Sequence, residues 1–144
     1  MKTKLSYTAL AIAIILIITS LIFFNKYNSL MNRIESATNL SFKLFITETQ
    51  NYQDEINDYI ETNKNSAQEA LIKDANSMRK AYQNYALLVS LANDDADTKL
   101  YNQRTDLYLK IINSEPDFNN ASVNTLKDFV ETIDATIKEL QRVK

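Results

Sequence analysis

Residues 123–140 read VNTLKDFVETIDATIKEL, and the spacing of their apolar side chains decides the fold class. Val123, Leu126, Val130, Ile133, Ile137 and Leu140 follow one another in steps of 3, 4, 3, 4 and 3. An α-helix turns once in about 3.6 residues, so this alternation lines one face with apolar groups and leaves the rest polar. A half-buried strand would need steps of two, and here the β-branched residues occupy seam positions instead. The helix is expected to start near Ser122.

Three more stretches of the same kind precede it. Residues 114–117, SEPD, form a break, because proline lacks a backbone donor and turns the residue before it away from helix. Ahead of that break Leu100, Arg104, Leu107 and Ile111 mark a third helix, its stripe widened by Tyr101, Tyr108 and Ile112. Asn93, Asp94 and Asp95 separate it from a second. There Leu71, Ala75, Met78, Tyr82, Tyr85, Val89 and Ala92 form a heptad seam in steps of 4, 3, 4, 3, 4 and 3. Ser66 and Glu69 at its start fit a capping box, in which hydroxyl and carboxylate satisfy each other's free N–H groups.

Asn63, Lys64 and Asn65 close the first helical stretch. Along it Tyr27, Leu30, Ile34, Ala37, Leu44, Tyr52, Ile56 and Tyr59 fall mostly at helical spacing, with an imperfect passage over 39–49. None of these amphipathic helices can bury its stripe alone. The expectation is an all-α fold, packed as an antiparallel four-helix bundle with axes off by roughly 20°. An extended two-stranded coiled coil is the other arrangement, and the breaks near 65, 94 and 117 weigh against it.

Composition agrees with long helices and narrows the chemistry. In 144 residues there is no Gly, Cys, His or Trp, and one Pro. Without Gly, the positive-φ positions of tight hairpins and phosphate-cradling loops are hard to supply, so P-loop and dinucleotide fingerprints are excluded. Without His and Cys, triads built on those residues and His/Cys zinc sites are excluded too. The net charge of −2 weighs against nucleic acid, whose phosphates normally call for a basic face.

Residues 5–24, LSYTALAIAIILIITSLIFF, carry no charge over 20 positions. A helix of that length matches the roughly 30 Å hydrocarbon core of a bilayer. A cleaved signal peptide would have a shorter apolar region ending in small residues, whereas this one stays bulky to Phe23 and Phe24. The reading is an uncleaved single-pass anchor, with residues 1–4 cytoplasmic, 5–24 in the membrane and 25–144 a helical bundle domain. Lys2, Lys4 and the amino terminus outweigh Lys26 and Arg33, the latter offset by Glu35. That bias puts the amino terminus in the cytoplasm and the domain outside it.

Among polar groups, Asp94, Asp95 and Asp97 resemble a cation site only superficially, since acidic residues are ordinary where a helix begins. Asp54 and Asp58, a turn apart, read as a solvated face. No catalytic, cofactor or metal residue is assigned. Four of the eight tyrosines, Tyr82, Tyr85, Tyr101 and Tyr108, lie on or beside the seams of neighbouring helices. They read first as core residues and second as a candidate partner interface, where tyrosine is enriched. Arg104, on a seam, is expected to reach solvent at the rim.

The chain also resembles the LemA family of bacterial membrane-anchored proteins. Tyr27, Asn28, Ser29 and Leu30 directly follow the anchor, as YNSL does in that family. Residues 56–64, INDYIETNK, are similar to the family stretch IPNLVETVK at the Ile, the Glu-Thr pair and the Lys. Residues 115–118, EPDF, resemble YPDL, and Leu126, Lys127, Asp128, Val130 and Glu131 resemble the LQDELE helix beyond it. The family's paired arginines and its Pro in the middle block have no counterpart here, and the chain stops at Lys144. It would be a divergent, C-terminally short member. The resemblance implies a helical bundle on one N-terminal anchor at a bacterial inner membrane, with no established enzymatic activity.

Three functional readings follow. The first is a non-enzymatic, membrane-tethered bundle that binds another protein, a second copy or the envelope. The second is a small-ligand-binding bundle resembling a sensor ectodomain, although no apolar run after residue 24 reaches half the length of the first. The third is a phage-type inner-membrane lysis protein, against which the polar break at 114–122 weighs.

Overall fold

The computed structural model describes residues 2–62, 65–92 and 95–143, with side chains for 9–62, 68–92 and 98–143. The described residues are helical apart from short connections, and no strand occurs among them. Four helices follow in order: α1 (Lys2–Thr62), α2 (Asn65–Ala92), α3 (Asp95–Ser114) and α4 (Val123–Arg142). The chain divides into two compact units, Met1–Ser36 and Ala37–Lys144.

The first unit is helix alone. Its apolar side chains from Ala9 to Leu30 are exposed, among them Leu10 at 58 %, Leu16 at 61 % and Phe23 at 69 %, while Met31 and Ile34 are half-buried. The Thr19 hydroxyl donates to the Ile15 carbonyl at 2.8 Å, so the polar group inside this apolar run is satisfied by its own helix. This helix is long and apolar enough to cross a membrane, with a mean hydropathy of 2.2 over its most apolar window.

The second unit has a core. Its buried residues come from all four helices: Phe42, Phe45, Tyr52 and Ile56 from α1, Leu71, Ala75, Met78, Tyr82 and Tyr85 from α2, Ile111 from α3, and Phe129, Ile133, Ile137 and Leu140 from α4. The heptad seam of α2 is followed closely, from Leu71 to Tyr85, with Val89 packed against the core. On α4 the face is rotated slightly from the sequence expectation. Val123 is 52 % exposed and Val130 only half-buried, while Phe129 and Thr136 turn fully inward. Phe129 does so because its ring meets Tyr52 and Phe118, each at 6.2 Å between centroids.

The larger correction falls on α1. Leu44, taken for a core residue, is 44 % exposed, and Tyr27 and Leu30 are exposed as well. The inward face is Thr38, Phe42, Phe45, Thr49, Tyr52 and Ile56, in steps of 4, 3, 4, 3 and 4. Two threonines hid this regular series. Thr49 is fully buried because its hydroxyl donates to the Phe45 carbonyl at 2.7 Å, leaving its methyl to pack. Thr136 does the same to the Thr132 carbonyl, also at 2.7 Å.

Contacts across the helices come in a definite order. From α1 to α2, Phe42 meets Tyr85 and Phe45 meets Tyr82. From α2 to α3, Tyr82 meets Thr105 and Tyr108, and Tyr85 meets Tyr101 and Arg104. From α3 to α4, Lys110 pairs with Glu139. Beyond α4, the Val143 carbonyl accepts from Arg104. The α3–α4 connection is held by Asp117, whose carboxylate accepts from the Asn119 backbone at 3.1 Å and the Asn120 amide at 2.7 Å. Ser122 caps α4, its hydroxyl accepting from the Thr125 backbone at 3.1 Å.

The reading of Asp94, Asp95 and Asp97 as helix start or cation site lies outside the described side chains, as does the hydroxyl of Ser66 in the capping box.

Candidate functional site

Two polar features sit on this scaffold. The first is built from the four seam tyrosines. Tyr82 and Tyr85 are buried, at 7 % and 1 % exposure, while Tyr101 and Tyr108 are half-buried. The α2 heptad sets Tyr82 and Tyr85 three residues apart on one face, toward α3. There the Tyr82 and Tyr108 rings stack at 3.8 Å with 7° between planes. Phe45 closes on both edge-on, at 5.4 and 6.0 Å. The Tyr82 hydroxyl donates to Thr105 Oγ1 at 2.8 Å, and burial pushes its pKa up to about 12. Burial also raises Tyr108. The structure thus brings all four tyrosines together, with the rings of Tyr82 and Tyr85 turned inward.

Arg104 departs from expectation. It does not reach solvent at a rim but is 8 % exposed, with its guanidinium 3.6 Å above the Phe42 ring. Nη1 donates to the Tyr85 hydroxyl at 3.2 Å and Nη2 to the Val143 carbonyl at 3.3 Å. Nε is buried without a hydrogen-bond partner, and among the described residues no carboxylate pairs with the group. An aromatic face and two neutral oxygens hold the charge. Position on a seam could not reveal this, because the stacking partner, Phe42, lies 62 residues away in sequence.

The second feature was not anticipated as a site. Glu115, at the start of the α3–α4 connection, pairs with Arg79 of α2 and accepts from the Tyr52 hydroxyl of α1 at 2.7 Å. One carboxylate therefore ties three parts of the chain together. Burial, then the bond to Glu115, holds the Tyr52 hydroxyl far above the usual phenol range. Beside this knot opens a cleft of about 210 Å³, lined by Tyr52, Leu71, Ala75, Arg79, Glu115 and Phe118 among others. The Gln68 amide, which donates to Asn119 at 2.7 Å, lies on the same wall. The cleft falls below the roughly 300 Å³ at which pockets for drug-sized ligands begin. The only sequence signal for it was Pro116, which marks a turn but says nothing of what Glu115 reaches.

Asp54 and Asp58 are exposed. Geometry and composition together define a class: among the described residues, a helical protein with one helix long and apolar enough to cross a membrane, and a unit with an aromatic core. No protein-family model matches the chain, and no curated protein or solved structure matches it either.

Proposed function

We propose that this chain is a membrane-anchored, non-enzymatic helical-bundle protein of the LemA type, acting as a protein-interaction or envelope-associated module. The observation that carries the reading is the run 10–24, where large apolar side chains stay exposed along an uninterrupted helix, from Leu10 at 58 % to Phe24 at 61 %. Each such side chain left in water forgoes about 1.5–3 kcal/mol of burial energy, which a hydrocarbon core restores. A helix satisfies its own backbone and so meets the bilayer's other demand. Lys2 and Lys4 ahead of the run favour a cytoplasmic amino terminus and a domain on the far side of the inner membrane.

The domain is an antiparallel four-helix bundle in this reading. Supporting it, partner numbers fall as helix numbers rise: 42 and 45 with 85 and 82, then 82 and 85 with 105 and 104. The LemA likeness rests on the three sequence blocks around 27–30, 56–64 and 115–131. A protein or envelope partner fits a surface offering no His, Cys or Gly for catalysis.

The test is membrane extraction together with a topology reporter. The chain is expected in the pellet after alkaline carbonate washing, and alkaline phosphatase fused after Lys144 is expected to be active. Release by carbonate overturns the anchor. Activity from a cytoplasmic reporter alone overturns the orientation. The cleft beside Glu115 favours a second reading, a bundle that binds a small molecule. A thermal shift with amino acids or short carboxylic acids, lost in Arg79→Ala, would establish it over the first.

A further inference from the structure

We infer that the outer face of α1 within the Ala37–Lys144 unit is a homotypic interface, on which a second copy of this chain packs in parallel. Besides its buried face, this part of α1 carries a second series, Ala37, Leu40, Leu44 and Thr47, in steps of 3, 4 and 3. At 3.6 residues per turn it lies about 140° around the helix from the core face. Leu40 is 70 % exposed and Leu44 44 %; no other large apolar side chain described is as exposed as Leu40, not even Phe23 at 69 % in the apolar run. Nothing in the chain's own core uses this stripe.

Charge selects the occupant. With 37 and 44 as the first positions of successive heptads, and 40 and 47 as the fourth, Lys43 takes the seventh position and Glu48 the fifth of the next heptad. Neither forms an ion pair among the described residues. Their five-residue separation also prevents pairing on one helix, where partners stand three or four apart. Between two parallel, in-register helices those positions face each other. Lys43 of each copy then meets the partner's Glu48, twice by symmetry. A helix thus carries both halves of its own recognition pattern.

Extent explains why the pairing needs the membrane. Asn51 and Asp54 end the apolar series, leaving about three turns. Such a contact falls well short of the roughly 1,200 Å² typical of stable specific interfaces. Confinement by an anchor raises the local concentration toward the millimolar range, where a weak pair forms. In this respect the inference rests on the anchored reading above.

The chain has no cysteine, so single substitutions report directly. The full chain in its native membrane, carrying Leu40→Cys or Leu44→Cys, is expected to form disulfide dimers under mild oxidation. Yields should be several-fold above Asn39→Cys and Asn57→Cys, exposed positions off the stripe. Adding Lys43→Glu to Leu40→Cys should cut the dimer about threefold, and adding Glu48→Lys as well should restore it. A flat profile, adducts only to other proteins, or no response to the charge reversals overturns the inference. Carbonate washing of the same membranes separates the two ideas. Pelleted chain with a flat profile sinks the interface alone, whereas released chain sinks the anchor and, with it, the membrane-dependent pairing.

Discussion

Arg104 concentrates most of the physics of this core. A charged group among Phe42, Tyr85 and the end of α4 has left water for an aromatic face at 3.6 Å and two neutral acceptors, with Nε unmatched. Desolvation of a cation is costly, and without a carboxylate the return is small. Arg104→Met, which keeps most of the stem volume, is therefore expected within about 1 kcal/mol of the parent in urea unfolding. Arg104→Ala, which opens a cavity under Phe42, is expected to lose about 2–4 kcal/mol. Should Met prove as damaging as Ala, the charge rather than the packing holds the site. Tyr52 makes a simpler case: Tyr52→Phe removes the 2.7 Å bond to Glu115 and leaves the ring in place. The expected loss is about 1 kcal/mol, read in the same titration.

At the scale of elements, helix ends and helix faces follow different rules. Ends are local. Ser122 caps α4 through one bond to Thr125, so Ser122→Ala should cost about 1 kcal/mol and Ser122→Gly less, measured by thermal unfolding. Asp117 works in the same way in the connection just before. Its carboxylate, held below the usual range by the Asn120 amide first and the Asn119 backbone second, supports the turn above the unfolded carboxyl pKa and loses that effect as pH falls. Faces are less local. The inward face of α1 runs through Thr38 and Thr49, which composition marks as polar, while the apolar Leu40 and Leu44 look outward. The single stripe read from the sequence mixed two faces of that helix, and the facing rings of Tyr82 and Tyr85 decide which is core.

For the whole molecule, the buried phenols predict how stability responds to alkali. Tyr82 is pushed up to about 12 by burial, and Tyr52 is raised further. Between the ordinary phenol value near 10 and these raised ones, the folded chain keeps protons that the unfolded chain gives up. Stability is then fully present below about pH 10 and declines as pH rises toward 12. Melting temperature against pH in detergent, followed with phenolate absorbance, should show this decline, and Tyr82→Phe should flatten it. A melting temperature unchanged to pH 12 would sink the assignment. Helix class, the break at 114–117 and the apolar run were legible in the sequence, because each depends on residues within a few turns of one another. The core face of α1, the burial of Arg104, the inward rings of Tyr82 and Tyr85 and the knot at Glu115 were not. Those depend on partners tens of residues away, and the energy of a side chain is set by what packs against it, which only the folded chain brings into place.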